Sequence, residues 1–242
     1  MDVNGSTVVV TGGQRGLGRA LVEAFLAQGA AKVYATAREP HADDDPRIVP
    51  IALEVTDPTS VAQLAACATD TTIVVNNAGA SLRAPLLAVE IDSVKSTFDT
   101  NVFGPLLVAQ AFAPVLANNN GGALVNILSV MSWAAGSRAY GASKAALWSL
   151  TNSLRVELAE QGTNVIGVHL SYTDTDMTVG LDFHKNTAED VAQTVVTSIA
   201  AGVDEVLVDD DSRRAKSLLS GPPDGLAYTM VDGRLVFAGD AR

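Results

Sequence analysis

A run of β-branched residues that ends in a glycine-rich turn and leads straight into a helical pattern constrains this chain more than any other feature. The run spans Thr7 to Val10, the turn spans residues 11–18 with the spacing Gly-x-x-x-Gly-x-Gly, and apolar residues then recur at helical spacing as far as Gly29. Glycines allow a backbone to approach a phosphate closely, and the first turn of a helix offers unpaired N–H groups. The pattern therefore predicts a strand, a turn suited to a phosphate and a helix, although a tight strand-to-helix turn without a ligand would use the same glycines.

Short apolar runs alternate with helical patterns along most of the chain. Hydrophobic residues make up 48% of the sequence and aromatic residues only 5%, so the core is expected to be aliphatic, as in a parallel sheet buried on both faces. The alternation predicts an α/β fold: a single-domain, doubly wound, Rossmann-like parallel sheet of about seven strands with helices on both faces. Residues 1–220 are expected to form this domain, and residues 221–242 a C-terminal tail with a small hairpin around an Asp-Gly turn.

The predicted strands and helices alternate in the order that such a sheet requires. The strands are expected at residues 7–10, 32–36, 48–53, 72–75, 123–128, 164–170 and 205–208. After the helix that follows the glycine-rich turn, further helices are expected at residues 59–66, 89–116, 140–162, 190–200 and 212–219, the second of these as one helix or two with a bend near Gly104-Pro105.

Composition restricts the partners of the protein. The formal net charge is −11, from 16 basic and 27 acidic residues, and no cluster of Lys or Arg forms a stripe. We therefore expect a small-molecule partner, and neither nucleic acid nor a membrane. The single cysteine, Cys67, fits a reducing compartment, and no signal peptide or apolar run of roughly 18 residues is evident. These features predict a cytoplasmic protein, and the lack of His/Cys clusters with ligand spacing predicts no metal site.

The end of the second predicted strand is where a dinucleotide-binding fold contacts the adenosine ribose. An Asp or Glu there would bind a free 2′-hydroxyl group and select NAD, but this chain has Ala37 followed by Arg38. Arg15 lies in the glycine-rich turn. Because guanidinium groups bind phosphate bidentately, the two arginines favour NADP(H) over NAD(H), although both would also fit solvated loop positions.

Ser129, Tyr140 and Lys144 follow the fifth predicted strand. A loop joins Ser129 to a segment of helical composition that opens at Tyr140, and residues four apart on a helix lie on one face. A phenol has a pKa near ~10, and a neighbouring ammonium group lowers that pKa, which makes the phenol a better proton donor. Ser129 is placed to hold the oxygen atom that the phenol protonates. Taken alone, Tyr-x-x-x-Lys is a loose pattern that surface packing also explains.

Five motifs occur in a fixed order along the chain. They are Thr11-Gly12-x-x-x-Gly16-x-Gly18, Asn76-Asn77-Ala78-Gly79, Asn101, Ser129 and Tyr140-x-x-x-Lys144. In order and spacing the set resembles the short-chain dehydrogenase/reductase family, over roughly residues 5–210. The resemblance implies an NADP(H)-preferring carbonyl reductase, or an alcohol dehydrogenase in the reverse direction. It also implies a small-molecule carbonyl or alcohol substrate and a homodimer or homotetramer.

The resemblance implies a role for each matching residue. Tyr140 would be the general acid/base, with Lys144 lowering its pKa and binding the nicotinamide ribose. Ser129 would hold the carbonyl oxygen, and Asn101 would tie a water chain to Lys144. The residues implied to bind the cofactor are Gly12, Gln14, Arg15, Gly16, Leu17, Gly18, Arg38, Glu54, Val55, Asn77, Ala78, Gly79, Tyr140, Lys144, Ser171, Thr173 and Thr175. The candidate substrate pocket, mostly apolar and suited to a hydrophobic ketone or aldehyde, comprises Ser81, Leu82, Met131, Trp133, Tyr172 and Met177.

Several positions depart from the family pattern. Leu170-Ser171 stands where the family usually has Pro-Gly, and Glu54 stands in place of an adenine-contacting Asp. The gap between Ser129 and Tyr140 is shorter than usual, so Ser132 in the same loop competes with Ser129, which we favour.

Two other classes of function compete with a reductase. A hydrolase would need a nucleophile elbow, and residues 141–145 mimic one only loosely, because Ser143 falls within a predicted helix and no histidine pairs with it. The other class is a catalytically silent NADP(H)-binding regulatory or scaffold protein of the same fold. The complete Asn-Ser-Tyr-Lys set argues against that class.

Overall fold

Seven parallel strands form one sheet, which confirms the predicted fold class. The computed structural model describes residues 2–241, and the strands of this sheet are β1 (Thr7–Val10), β2 (Lys32–Ala37), β3 (Ile48–Ala52), β4 (Ile73–Asn76), β5 (Gly122–Ile127), β6 (Thr163–His169) and β7 (Glu205–Leu207). Their order is β3-β2-β1-β4-β5-β6-β7, and neighbouring strands are parallel. The winding direction reverses between β1 and β4, and an open α/β sheet binds its ligands at such a point.

Helices cover both faces of the sheet. They are α1 (Gly16–Ala27), α2 (Pro58–Cys67), α3 (Ile91–Phe98), α4 (Gly104–Asn118), α5 (Arg138–Glu157), α6 (Ala188–Ala201) and α7 (Asp210–Leu218). Val8 and Val10 of β1 belong to the core shared with α1 and α6, whereas Val9 belongs to the core shared with α2 and α4. Successive side chains of a strand point to opposite faces, so both faces of β1 are buried, and this burial explains the aliphatic composition.

Helix α5 begins and ends earlier than the sequence predicts. It starts at Arg138 rather than at residue 140, and it ends at Glu157 rather than at Gly162. Residues 158–162 make the turn into β6, and Gly162 has a φ of 75°. Glycine adopts this left-handed conformation without steric cost, so Gly162 ends the turn rather than the helix.

The helix predicted over residues 89–116 is two helices joined by a wider turn. A π-helical stretch, Asp99–Phe103, separates α3 from α4 immediately before the expected bend at Gly104-Pro105. By length and composition alone, the run Ile91–Asn118 is apolar enough to cross a membrane, which the sequence reasoning did not recognise. In this fold α4 instead packs its apolar side chains against β4 and β5.

The C-terminal tail contains a two-stranded antiparallel hairpin beside the main sheet. Its strands are β8 (Tyr228–Val231) and β9 (Arg234–Phe237). Apolar side chains of the hairpin pack in a cluster with Trp133, and the amide of Ala135 donates to the carbonyl oxygen of Leu226 at 2.9 Å. The tail is therefore held against the loop between β5 and α5. The division of the chain into a domain and a tail stays a prediction.

Candidate active site

A deep cleft crosses the carboxyl ends of the strands and brings together nearly all of the predicted site residues. Its volume is about 1440 Å³, and the segments that follow β1, β2, β3, β4, β5 and β6 form its walls. Every residue predicted to bind the cofactor lines the cleft, and so do all catalytic and substrate-pocket candidates except Asn101 and Trp133. The glycine-rich turn, Arg38 and the Ser-Tyr-Lys set thus share one space.

The glycine-rich turn packs so closely that it has no room for a side chain at Gly18. A Cβ atom on Gly18 would lie 2.0 Å from the carbonyl oxygen of Gly12. The side-chain amide of Asn77 donates to the carbonyl oxygens of Thr11, at 2.9 Å, and Gly12, at 3.3 Å, which holds the turn against β4. Arg15 at the N-cap of α1 makes no side-chain capping bond, and the first turn has no acidic residue. The first N–H groups of α1 therefore suit an anion in the cleft.

Arg15 and Arg38 both line the cleft, but within the described residues only Arg15 has a carboxylate partner. Arg15 Nη1 lies 3.4 Å from Oδ2 of Asp176, and the two side chains are 78% and 72% exposed, so this pair contributes little to stability. Arg38 forms no ion pair with any residue in 2–241, and Ala37 leaves no carboxylate at the strand end. Glu39 also lines the cleft, however, and the predicted preference for NADP(H) does not take this carboxylate into account.

Ser129, rather than Ser132, lies against Tyr140. Ser129 lies near enough to the Tyr140 hydroxyl group to lower its pKa, and Ser129 Oγ accepts from the amide of Met131 at 3.1 Å. Ser132 is buried, does not line the cleft, and its hydroxyl group has no partner among residues 2–241. Of the two candidates in this loop, only Ser129 is placed to share an oxygen atom with Tyr140.

Burial governs the protonation of Tyr140 and Lys144. It raises the pKa of Tyr140 above its ordinary value, and the neighbouring Ser129 side chain opposes this effect. Burial also lowers the pKa of Lys144 to about 8, while its Nζ donates to the carbonyl oxygen of Ile127 at 2.7 Å. The sequence predicts that Lys144 lowers the Tyr140 pKa. That prediction has the wrong direction for the chain alone, because burial disfavours the charged phenolate and so raises the pKa.

Asn101 is buried behind the wall of the cleft. It lies in the π-helical stretch between α3 and α4 and has no exposed surface. Its Oδ1 accepts from the amide of Ala80 at 2.8 Å, and its Nδ2 donates to the Ala80 carbonyl oxygen and to Ser143 Oγ, both at 2.9 Å. The side chain therefore joins the loop after β4 to α5, the helix that carries Tyr140 and Lys144.

Aromatic side chains line the cleft near Tyr140. The rings of Tyr172 and Phe183 pack with their centroids 5.0 Å apart, and Tyr228 of β8 lies near enough to Tyr172 to raise its pKa. The sequence reasoning missed Phe183 and Tyr228. No local pattern marks Tyr228, because the tail brings it to the cleft from almost ninety residues beyond Tyr140.

The substrate pocket predicted from the sequence includes one residue that does not line the cleft and omits two arginines that do. Trp133 does not line the cleft, because its ring stacks on His169 with the centroids 3.8 Å apart, in the apolar cluster beneath the hairpin. Arg83 and Arg138 do line the cleft. Neither belongs to a motif, and their closeness in sequence to motif residues was the only signal that could have identified them.

Lys144 makes stability depend on pH in a way that its replacement removes. Its pKa falls from 10.5 in the unfolded chain to about 8 in the fold, so between these values the unfolded chain holds a proton that the folded chain has released. Stability therefore rises with pH in this window, by up to about 1.4 kcal/mol per pH unit. In denaturant titrations of the cofactor-free protein, we expect the free energy of unfolding, relative to Lys144→Met, to rise from pH 8 to pH 9.5. A difference that stays flat would contradict the lowered pKa, and exposed Lys95→Met is the control.

Comparison with known proteins identifies relatives over most of the chain. Residues 6–186 match the family model described as short chain dehydrogenase. A crystal structure of a short chain dehydrogenase from Burkholderia cenocepacia, in complex with NADP, superposes with a TM-score of 0.86 and 34% identity, covering 91% of this chain and 95% of that chain.

Two curated relatives agree with this match. A sorbitol dehydrogenase from Cereibacter sphaeroides is 34% identical over 198 residues, which span 75% of this chain and 76% of that protein. A protein from Staphylococcus epidermidis, described as an uncharacterized oxidoreductase, is 31% identical over 212 residues, which span 81% of this chain and 92% of that protein.

Proposed function

This chain belongs to the short-chain dehydrogenase family, and on that premise we propose that it is an NADPH-dependent oxidoreductase that reversibly reduces a ketone or aldehyde to an alcohol. The observation that carries the proposal is the contact between Ser129 and Tyr140, with Lys144 on the same helix face, in the wall of a cleft that also holds the glycine-rich turn. A dehydrogenase of this family needs a proton donor and a nucleotide-binding site in the same cleft.

The residues of the cleft fit a nicotinamide dinucleotide. The uncapped N–H groups of α1 and the glycines of the turn suit the pyrophosphate, and Arg38 and Arg15, which both line the cleft, suit a 2′-phosphate. The bound NADP of the Burkholderia cenocepacia relative supports the same preference. When bound, this cofactor supplies the hydride in reduction and accepts it in oxidation. Glu54, Val55, Asn77 to Gly79, Ser171, Thr173 and Thr175 line the rest of the proposed cofactor site.

Tyr140 is the proposed proton donor. The phenol is protonated at neutral pH, as an unshifted phenol already is, so it has a proton to give to a carbonyl oxygen. Its raised pKa makes it a weaker acid unless a nearby positive charge offsets the effect of burial. Ser129 holds the same oxygen with its own hydroxyl group and thereby orients the carbonyl. In the oxidative direction Tyr140 receives the proton of the alcohol, and a raised pKa makes this step depend on a nearby positive charge.

Lys144 is the proposed source of that charge. Below a pH of about 8 its ammonium group is protonated, and it is buried on the helix face of Tyr140. Because the Asn101 side chain is fully engaged with Ala80 and Ser143, we propose that a water chain to Lys144 leaves from the Asn101 main chain rather than from its amide.

We also propose a cytoplasmic homodimer or homotetramer that acts on a small molecule. Exposed apolar side chains on the helices, among them Ile91, Phe103 and Val156, support an oligomer. Light scattering on the purified protein would measure its mass, and a monomer at micromolar concentration would contradict this part of the proposal.

Turnover with separate cofactors tests the function. The purified protein should oxidise NADPH in the presence of at least one member of a panel of ketones, aldehydes and quinones, and NADH more slowly. A catalytically silent NADP(H)-binding protein is the alternative, and tight NADPH binding without oxidation across the panel would favour it. If the protein prefers NADH, the proposed oxidoreductase activity is still supported, but the proposal that Arg15 and Arg38 select NADP(H) is refuted.

A further inference from the structure

The basic residues that lack an acidic partner are concentrated in the cleft. Within residues 2–241, ion pairs with carboxylates are formed by Arg15, Arg19, Lys32, Arg47, Lys95, Lys185, Arg213, Arg214 and Lys216. The basic residues in this range without such a pair are Arg38, Arg83, Arg138, Lys144, Arg155 and Arg234. Four of these six line the cleft, in a chain whose acidic residues outnumber its basic ones.

Two of the four already have a proposed role and two do not. Arg38 and Lys144 belong to the proposed cofactor and proton-transfer groups. Outside the cleft, Arg155 donates from all three of its guanidinium nitrogens, to Val165, Asn152 and Asp204, so few of its donors remain for a ligand. Arg83 and Arg138 remain as positive charges in the cleft without an assigned function.

The two arginines lie together at the mouth of the cleft. Arg138 donates to the main-chain carbonyl oxygen of Arg83, and Arg83 Nη2 donates to the carbonyl oxygen of Met177 at 2.6 Å. The charge of Arg83 also reaches Tyr172, whose pKa burial raises to about 12 and Arg83 partly lowers. A guanidinium group has five N–H donors, and each of these two uses one of them in the described structure, so most donors stay available.

The backbone at Arg138 is held in a conformation that side chains rarely adopt. Its φ is 59°, in the left-handed region, although it is not a glycine. Such conformations are costly and persist where surrounding structure fixes them, often beside a functional site. Arg138 opens α5 two residues before Tyr140, so the same turn sets the position of both side chains.

We propose that Arg83 and Arg138 bind a carboxylate group of the substrate, which makes the substrate an oxo acid and the product the corresponding hydroxy acid. The inference rests on the proposed function and names its substrate class. Guanidinium groups bind a carboxylate bidentately, and a site that leaves two of them without protein carboxylates selects for an anion. The carbon chain of the acid would lie among Leu82, Met131 and Phe183, with the carbonyl oxygen at Tyr140.

Matched acids and esters test this inference in the full-length protein. The probes are 5-oxohexanoate, 6-oxoheptanoate and 4-acetylbenzoate, each compared with its methyl ester at saturating NADPH. We expect kcat/KM to favour at least one acid over its ester. Arg83→Gln and Arg138→Gln should each lower kcat/KM for that acid by about 10- to 100-fold, the range for one charged hydrogen-bonding group, and change the ester by less than about two-fold. Arg234→Gln, an exposed and unpaired arginine outside the cleft, is the matched control and should change neither.

A binding measurement separates failure of this inference from failure of the proposed function. Calorimetric titration of 4-acetylbenzoate into the NADP⁺-saturated protein should show binding that both glutamine variants weaken by at least about ten-fold. If no ketone is reduced but this dependence holds, the proposed function fails and the carboxylate site stands. If the esters are reduced as well as the acids in every variant, or if no acid binds, the inference is overturned. A loss of NADPH affinity in the variants would also overturn it, since the arginines would then serve the cofactor.

Discussion

Replacing Tyr140 by phenylalanine is expected to lower kcat by a factor of about 10² to 10⁴, the usual contribution of a positioned general acid. The change removes one oxygen atom, and the ring would keep its place on α5. The lost hydroxyl group is the proposed proton donor, and a phenylalanine ring has no group that can give a proton to the carbonyl oxygen. The affinity for NADPH should stay within about two-fold, because the glycine-rich turn and Arg38 are untouched.

Steady-state kinetics together with NADPH fluorescence titration would measure both quantities. Ser129→Ala should also lower kcat, since Ser129 is proposed to hold the same oxygen atom. Ser132→Ala is the matched control: it removes a hydroxyl group that is buried in the same loop, lacks a partner within residues 2–241 and does not line the cleft. Full activity in the Tyr140→Phe variant would refute the role of Tyr140, and equal losses in both serine variants would refute the choice of Ser129.

The parts of the site that local sequence encodes could be predicted. Strand β1 was expected at residues 7–10 and lies there, because a β-branched run followed by glycines has few other conformations. Residues that directly follow a strand were also placed correctly in the cleft, because parallel strands bring their carboxyl ends to one edge. Arg38 after β2 and Ser129 after β5 are examples.

The parts that depend on distant packing could not be predicted. Tyr228 reaches the cleft only because the tail folds back on the loop that contains Ala135. Trp133 was placed on the wrong side because its loop turns that ring towards His169, and no periodicity signals this direction. The pKa of Tyr140 was predicted in the wrong direction because residue spacing indicates which charge is near but not how much water is excluded.

Replacing Arg38 by aspartate is expected to change the cofactor preference, expressed as the ratio of kcat/KM with NADPH to that with NADH, by about 10² to 10³-fold towards NADH. A charged hydrogen bond to a phosphate oxygen contributes about 1.5–3 kcal/mol, which is roughly 10- to 150-fold, and a carboxylate adds repulsion of the 2′-phosphate. The same carboxylate is able to accept a hydrogen bond from the 2′-hydroxyl group of NADH.

The neighbouring carboxylate supplies the control for this change. Glu39 lines the same cleft, and Glu39→Gln removes a negative charge without touching either arginine. We expect this variant to raise the preference for NADPH by less than about ten-fold, because an exposed charge in water acts weakly. Opposite shifts in the two variants, largest for Arg38→Asp, would identify the end of β2 as the region that selects the phosphate. An unchanged ratio in Arg38→Asp would refute the assignment of Arg38. A large shift in Glu39→Gln alone would indicate that Glu39, rather than Arg38, determines the cofactor preference.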